Sequence, residues 1–199
     1  LTPIYNPGVG RLEMEQKRPH LPWTPFPELP ARDNFESQEL ALQWNFLRVL
    51  HEKWYSTGED GLELDLRPEV ADSLVNPSMV MRRIEDHHFE ASTHLNFSSK
   101  KENEQAGLII YRNSMCHYQL LKEKKELVLI KTRLGERSEI ARLPWEKKDV
   151  VLRAKAEGIQ VTFSYGPDLE NLVQIAPDQS LDVISDEVAG KFNGSYIGM

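Results

Sequence analysis

Apolar and polar residues alternate with a period of two along several segments of this chain, and this pattern predicts β-strands. Segment 61–67 places Leu62, Leu64 and Leu66 on one face, with charged residues between them. Three further segments repeat the pattern, with these residues predicted to point inward: Phe89, Ala91, Thr93, Leu95 and Phe97; Val150, Leu152, Ala154 and Ala156; Ile159, Val161, Phe163 and Tyr165. Strand segments broken by turn-forming residues about every 8–12 residues are typical of an antiparallel β-sandwich or barrel.

Shorter apolar segments at 106–113, 116–121 and 126–132 add further predicted strands. A single sheet would leave one of its apolar faces in water, so we expect two sheets packed face to face. Residues 121–127, LKEKKEL, predict a charged hairpin turn in which Lys122, Lys124 and Lys125 are exposed and oppose association of sheet edges. One short helix is predicted around residues 146–150.

The first 34 residues hold seven of the twelve prolines, which excludes a helix there. Residues 20–30, HLPWTPFPELP, predict an extended strap anchored by Trp23 and Phe26, and the alternation of Leu12 and Met14 before it is strand-like. Near Asp33 the sequence changes from Pro-rich to alternating apolar and polar residues. This change predicts a tail and Pro-rich linker at 1–32 and an all-β sandwich at 33–199.

The composition bounds the partners of the chain. Its 199 residues carry a formal net charge of −7, which argues against a nucleic-acid partner because phosphate binding needs clustered cations. The apolar runs are far shorter than a membrane span, so no membrane partner is expected. The single cysteine, Cys116, excludes an internal disulfide and leaves both the cytoplasm and the bacterial periplasm or exterior open. A chain that starts at Leu1 and not at Met indicates a piece of a longer protein.

The residues that could carry chemistry do not form a convincing catalytic set. His88 and His94 share one face of a predicted strand without a third ligand, so neither a metal site nor a cofactor is expected. The alternative is a structural calcium ion bound near Asp33. Adjacent carboxylates at 59–60, 85–86 and 186–187 point to opposite faces, unlike the facing pair of a glycosidase. Cys116 is predicted to be a small buried residue.

Aromatic residues allow two interpretations. Trp145 and Tyr111 are candidates for stacking on sugar rings, and the alternative is that they pack in the core. Trp44 and Trp54 are predicted to be core residues.

Several segments, in order, resemble the C-terminal domain of glycoside hydrolase family 43 β-xylosidases and α-L-arabinofuranosidases. Residues 33–56, DNFESQELALQWNFLRVLHEKWYS, resemble its opening segment. Further matches are NPSMVMRRIEDHHFEAST at 76–93, VTFSYGPDLENL at 161–172 and FNGSYIGM at 192–199, and YNPGVGRLEME at 5–15 is similar to the tail that follows the catalytic propeller.

The resemblance implies a concanavalin A-like jelly roll and an enzyme whose catalytic carboxylates lie on a preceding five-bladed propeller, so that no catalytic residue lies on this chain. It implies that Phe192 lies at the rim of the active-site pocket of that neighbouring domain, although Lys191 stands where a second Phe is common. It also implies a further strand after Met199, a homo-oligomeric enzyme and an oligosaccharide substrate derived from xylan.

Three hypotheses of function follow. The first is an accessory domain that packs on the propeller, helps to close its pocket and supports oligomerisation. The second is an independent carbohydrate-binding module for xylan or a related plant polysaccharide, and the third is a structural spacer.

Overall fold

A computed structural model describes residues 5–6, 11–12, 17, 20–25, 30–190 and 192–199. The chain divides into two compact units, Leu1–Asp33 and Asn34–Met199.

In the first unit, strand β1 (Tyr5–Asn6) pairs antiparallel with β2 (Arg11–Leu12), with Tyr5 opposite Leu12. Residues 20–25 contain neither helix nor strand, and the side chain of Trp23 is 71% exposed. Met14 and Phe26 lie outside the described residues, and the extended strap stays a prediction.

The second unit is built almost entirely of strands. They are β3 (Trp44–Phe46), β4 (Tyr55–Gly58), β5 (Gly61–Leu64), β6 (Val80–Arg83), β7 (His88–Asn96), β8 (Gln105–Asn113), β9 (Cys116–Glu123), β10 (Glu126–Arg133), β11 (Glu136–Pro144), β12 (Asp149–Glu157), β13 (Gln160–Gly166), β14 (Val173–Gln174), β15 (Gln179–Ser180) and β16 (Tyr196–Gly198). A 3-10 helix (Leu181–Ile184) and a single-turn helix, α1 (Asp186–Ala189), lie between β15 and β16.

Two antiparallel sheets carry the fold, which confirms the predicted sandwich. One sheet has seven strands in the order β11-β10-β9-β8-β16-β6-β3, and the other has the order β14-β13-β12-β7 with β15 also paired to β13. Strands β4 and β5 form a separate hairpin. The short β16 lies between β8 and β6, so its pairing joins two parts of the larger sheet.

The core lies between the two sheets. The larger sheet contributes Leu108, Ile110, Tyr118, Leu120, Leu127 and Leu129, and the smaller contributes Val150, Leu152, Ala154, Ala156, Val161 and Phe163. The rings of Tyr118 and Phe163 meet across the interior with centroids 5.4 Å apart. Period-two alternation therefore identified the inward faces of β12 and most of β13.

Two residues predicted to point inward are exposed. Ile159 is 72% exposed because it lies in the turn after Gly158, where φ is +65°, and β13 begins only at Gln160. Leu66 is 50% exposed and lies beyond the end of β5.

The helix predicted around residues 146–150 is wrong. Residues 145–148 form a loop, and β12 begins at Asp149 because Val150 pairs with Leu95 of β7. The helical turns lie instead after Ser180 and Ser185, whose hydroxyls accept hydrogen bonds from the backbone N–H groups of Asp182 and Val188. Serine is a favoured residue at the start of a helix for this reason.

The predicted hairpin turn at Lys124 and Lys125 is confirmed, but the prediction that Lys122 is exposed is wrong. Its side chain lies on the inward face of β9, and the residue is 1% exposed. The hairpin also lies within the larger sheet, flanked by β8 and β11, and so it protects no edge.

Candidate functional site

The connection between α1 and β16, residues 190–195, presents an aromatic side chain to solvent. We refer to it as the Phe192 loop; residue 191 is outside the described residues. Gly190 ends α1 with φ of +64° and donates its N–H to the carbonyl of Asp186 at 3.0 Å. Phe192 is 97% exposed.

Hydrogen bonds fix both arms of this loop to the sandwich. On the incoming side, Asn113 Nδ2 donates to the carbonyl of Ala189 at 3.3 Å. On the outgoing side, Asn193 Nδ2 donates to the carbonyl of Arg112 at 3.5 Å, and Ser195 Oγ donates to the carbonyl of Ile184 at 3.1 Å. The loop is therefore anchored on either side of its exposed tip.

Two arginines brace the same region. The guanidinium of Arg112 is buried and forms an ion pair with Asp186 at the start of α1, an arrangement that offsets the cost of burying its charge. Arg83 lies against Gly194 and over the ring of Tyr196, 6.0 Å from its centroid. A Cβ atom at Gly194 would meet the flexible end of Arg83, which can shift, so it is the φ of +68° that favours glycine at this position.

Two further apolar side chains are exposed at the same end of the sandwich. Met115 in the β8–β9 turn and Leu134 in the β10–β11 turn are 52% and 51% exposed. The N–H of Gly135 donates to the carbonyl of Met115 at 2.9 Å, which joins the two turns. The neighbouring Asn113 contacts Ala189, so both turns lie beside the base of the Phe192 loop. Met115, Leu134 and Phe192 are therefore exposed at the same end of the sandwich.

The predicted stacking residue Tyr111 lies inside its own domain. It is 4% exposed, and its ring stacks on that of His117 with centroids 5.7 Å apart. Burial raises the pKa of Tyr111 to about 12. A sugar platform needs an open ring face, which this residue does not offer.

Trp145, the other predicted stacking residue, is half-buried. Its ring packs edge-on against Tyr165 at 5.5 Å, and its Nε1 donates to the carbonyl of Asp149 at 3.0 Å. The ammonium of Lys147 lies 5.9 Å from its ring centroid. These contacts hold the indole against the core.

Sequence reasoning missed the buried His117 and its partner Asp72. Nδ1 of His117 lies 3.1 Å from the carbonyl oxygen of Asn113, and Nε2 lies 2.8 Å from Asp72 Oδ1. Burial lowers the pKa of His117, against the opposite effects of that carbonyl and that carboxylate. The sequence offers one signal, the position of this histidine in an apolar strand segment.

The remaining candidates lie apart from this site. His88 and His94 are exposed on β7, beside Asp86 and Asp149 respectively, and Cys116 is buried, as predicted. Within the described residues, no three His, Cys, Asp or Glu side chains are grouped as metal ligands would be. The described part of the chain also contains no helix that is long and apolar enough to cross a membrane.

Comparisons with known proteins agree on one family. Residues 32–199 match the family model of the β-xylosidase C-terminal concanavalin A-like domain. The non-reducing end α-L-arabinofuranosidase BoGH43B of Bacteroides ovatus is 30% identical over 205 residues, covering 97% of this chain and 38% of that protein. A xylosidase/arabinosidase of Butyrivibrio fibrisolvens is 30% identical over 207 residues, covering 99% of this chain and 40% of that protein.

Solved structures give the same result. Bacteroides ovatus xyloglucan PUL GH43B superposes with a TM-score of 0.87 at 27% identity, over 97% of this chain and 39% of that one. The xylan β-1,4-xylosidase of Bacillus halodurans C-125 gives 0.85 at 28% identity, over 96% and 40%. The chain thus spans about two fifths of the length of these relatives. It belongs to the family of C-terminal concanavalin A-like domains found in glycoside hydrolase family 43 xylosidases and arabinofuranosidases.

Proposed function

We propose that this chain is the non-catalytic C-terminal domain of a glycoside hydrolase that acts on xylan-derived oligosaccharides. In this proposal the Phe192 loop packs on a catalytic propeller of the same polypeptide and adds an aromatic ring to the rim of its active-site pocket. The observation that carries the proposal is the exposure of Phe192, 97%, on a loop whose two arms are anchored.

The energetics favour docking of this loop. Full burial of a Phe side chain against a partner contributes about 1.5–3 kcal/mol. Because hydrogen bonds from Asn113, Asn193 and Ser195 already restrain the loop, little backbone entropy is lost when it docks. Met115 and Leu134 add apolar surface at the same end.

The proposal places bond cleavage outside this chain. The named relatives are an arabinofuranosidase and a xylosidase/arabinosidase, and this chain aligns with about two fifths of each. We therefore expect the 199-residue chain to release no nitrophenol from aryl β-xyloside or aryl α-arabinofuranoside above a mock-purified control. Release above that control by the chain alone would contradict a non-catalytic role.

Hydrogen exchange tests the packing directly. Backbone amides of residues 192–195 should exchange at least tenfold more slowly in the intact enzyme than in the 199-residue chain, because the propeller covers them. The turn at residues 168–170, at the far end of β13 from the 3-10 helix, is the internal control and should exchange equally in both. Equal exchange of residues 192–195 in the two proteins would contradict the proposed contact.

The resemblance further supports a homo-oligomeric enzyme, and we include oligomerisation in the proposal. Light scattering of the intact enzyme should give a mass of at least twice that of one full-length polypeptide. A monomer at micromolar concentration would contradict that part of the proposal and leave the pocket contact to be judged by the exchange experiment.

A further inference from the structure

A cavity of about 390 Å³ opens beside the β9–β10 turn, and lysines dominate its lining. Five lysines and one glutamate face it, in a chain whose net charge is −7. We refer to it as the lysine cavity. Such a local excess of positive charge is the arrangement that attracts anions to an otherwise acidic protein.

Two of its five lysines are neutralised by neighbours. Lys124 forms an ion pair with Glu102 at 2.6 Å, and Lys125 forms one with Glu146 at 3.6 Å. The other three, Lys122, Lys147 and Lys148, form no ion pair with any carboxylate of the described residues. The cavity therefore holds more ammonium groups than carboxylates that balance them.

Lys122 is the residue that distinguishes this cavity from a surface cluster. It is 1% exposed, and its Nζ donates to the carbonyls of Lys124 at 2.9 Å and Trp145 at 3.4 Å. An ammonium has three N–H donors, and these two bonds use two of them. Burial lowers the pKa of Lys122, and an anion in the cavity would offset the cost of burying its charge.

The rest of the lining suits a sugar better than a bare ion. Ser98 and Ser99 bring hydroxyl groups, and Phe97, which is 9% exposed, contributes an apolar surface. Ser99 Oγ donates to the carbonyl of Lys101 at 2.6 Å, and its oxygen can still accept a hydrogen bond. The volume lies at the lower end of the range of about 300–1,000 Å³ that is typical of small-molecule sites.

The lysine cavity is remote from the Phe192 loop. Cys116, next to the β8–β9 turn, and Lys122 lie six residues apart on β9, which corresponds to about 20 Å along a strand. A ligand bound at Lys122 therefore occupies a place distinct from the proposed pocket rim.

We propose that the lysine cavity binds the carboxylate of an acidic sugar, such as a uronic acid carried by a xylan-type oligosaccharide. The ammonium of Lys122 holds the carboxylate, Lys147 and Lys148 add positive charge, and the serine hydroxyls contact the sugar. The choice of an acidic sugar rests on the proposed function, whereas the anion site rests on the cavity itself.

Titration calorimetry of the 199-residue chain tests the site with three probes: a xylo-oligosaccharide that carries one glucuronic acid, the neutral oligosaccharide of the same length, and inorganic phosphate. The acidic sugar should bind at least tenfold more tightly than either of the others, and its affinity should fall as salt is raised from 50 to 500 mM. The Lys122→Met variant, which keeps the apolar stem, should lose at least tenfold in affinity. Lys148→Met removes an exposed charge with little effect on folding and should lose severalfold, while the control Lys155→Met on the smaller sheet should bind as the parent does.

Each contrary result overturns the proposal. No heat with the acidic sugar at millimolar concentration shows that the cavity is not a binding site. Equal affinity for the neutral sugar would show that the carboxylate is not recognised. Equal affinity for phosphate would show that the site binds anions without recognising a sugar. An equal loss in Lys155→Met and Lys148→Met shows attraction by overall charge alone. The isolated chain is used throughout, so none of these results depends on whether the Phe192 loop contacts a propeller.

Discussion

The hydroxyl of Ser195 donates to the carbonyl of Ile184 at 3.1 Å and so ties the arm that leaves the Phe192 loop to the 3-10 helix that precedes it. The same serine accepts, through its carbonyl, the N–H of Ile84 at 2.9 Å, next to β6. A loop with an exposed phenyl ring thus begins and ends on rigid parts of the sandwich. The phenyl ring of Phe192 therefore lies in solvent and adds nothing to the domain's own core.

Replacing Trp54 with Ala should strongly destabilise the chain. Trp54 is 1% exposed, its Nε1 donates to Asn76 Oδ1 at 2.8 Å, and its ring meets Phe46 edge-on at 5.4 Å. Large-to-small changes of this kind cost about 3–5 kcal/mol in the free energy of unfolding. Urea denaturation followed by circular dichroism measures this cost.

Leu42→Ala is the control, because the side chain of Leu42 is fully exposed. It should change the free energy of unfolding by less than about 0.5 kcal/mol. An equal effect of the two substitutions would contradict the assignment of Trp54 to the core.

Gly198→Ala should displace β16. A Cβ atom at Gly198 would collide with the carbonyl oxygen of Val80 and the Cα of Met81. That carbonyl accepts the N–H of Met199 at 3.0 Å, so any shift that relieves the collision weakens the pairing of β16 with β6. Overpacking of this kind costs about 1–3 kcal/mol, measurable by thermal unfolding.

The control is Gly58→Ala in β4, where no atom lies within 4 Å of an added Cβ. Its melting temperature should equal or slightly exceed that of the parent, because alanine reduces the freedom of the unfolded chain. If Gly198→Ala were as stable as Gly58→Ala, the close approach of β16 to β6 would be refuted.

The stability of the chain should decrease as the pH falls from about 6.5 toward 5. Burial lowers the pKa of His117 in the folded state, while in the unfolded chain its pKa is about 6.5. Between these two values the unfolded state binds the extra proton, so the free energy of unfolding falls by up to about 1.4 kcal/mol per pH unit. The stability that the chain has with a neutral His117 is fully present above the pKa of the unfolded state and is lost as the pH decreases below it.

Urea denaturation at pH 5, 6, 7 and 8 measures this slope in the parent and in the variants His117→Gln and His94→Gln. The slope between pH 5 and 6.5 should flatten in His117→Gln and persist in His94→Gln, because His94 is exposed on β7. A parent that gains stability as the pH falls would mean that Asp72 and the carbonyl of Asn113 hold His117 in its charged form.

Alternation predicted the inward faces of β12 and β13 because strand parity is a local property that burial on one face imposes on the sequence. It failed at Ile159 because parity does not indicate where a strand begins, and Gly158 places this residue in a turn. The helical turns at residues 181–189 were missed because one turn is too short to display a helical period.

The candidate site was less predictable than the fold. Parity places Lys122 on the same face as Leu120, but its burial depends on carbonyls of Lys124 and Trp145 that converge only in the folded protein. Tyr111 is covered because His117 stacks on it and Asp72, from a distant part of the chain, lies against that histidine. The role proposed for Phe192 rests on the family resemblance, whereas the exposure of its side chain is seen in the structure.

The kinetics of Phe192→Ala in the intact enzyme test the central claim most directly. Leu169→Ala is the control. Leu169 is also exposed, 53%, and it follows the end of β13 that is farther from the 3-10 helix and the Phe192 loop. We predict that Phe192→Ala lowers kcat/KM for xylo-oligosaccharides at least tenfold and leaves the melting temperature of the 199-residue chain within about 1 °C of the parent. Leu169→Ala should leave kcat/KM unchanged. Unaltered kcat/KM in Phe192→Ala, or a chain destabilised by several kcal/mol, would contradict the account and assign Phe192 to its own sandwich.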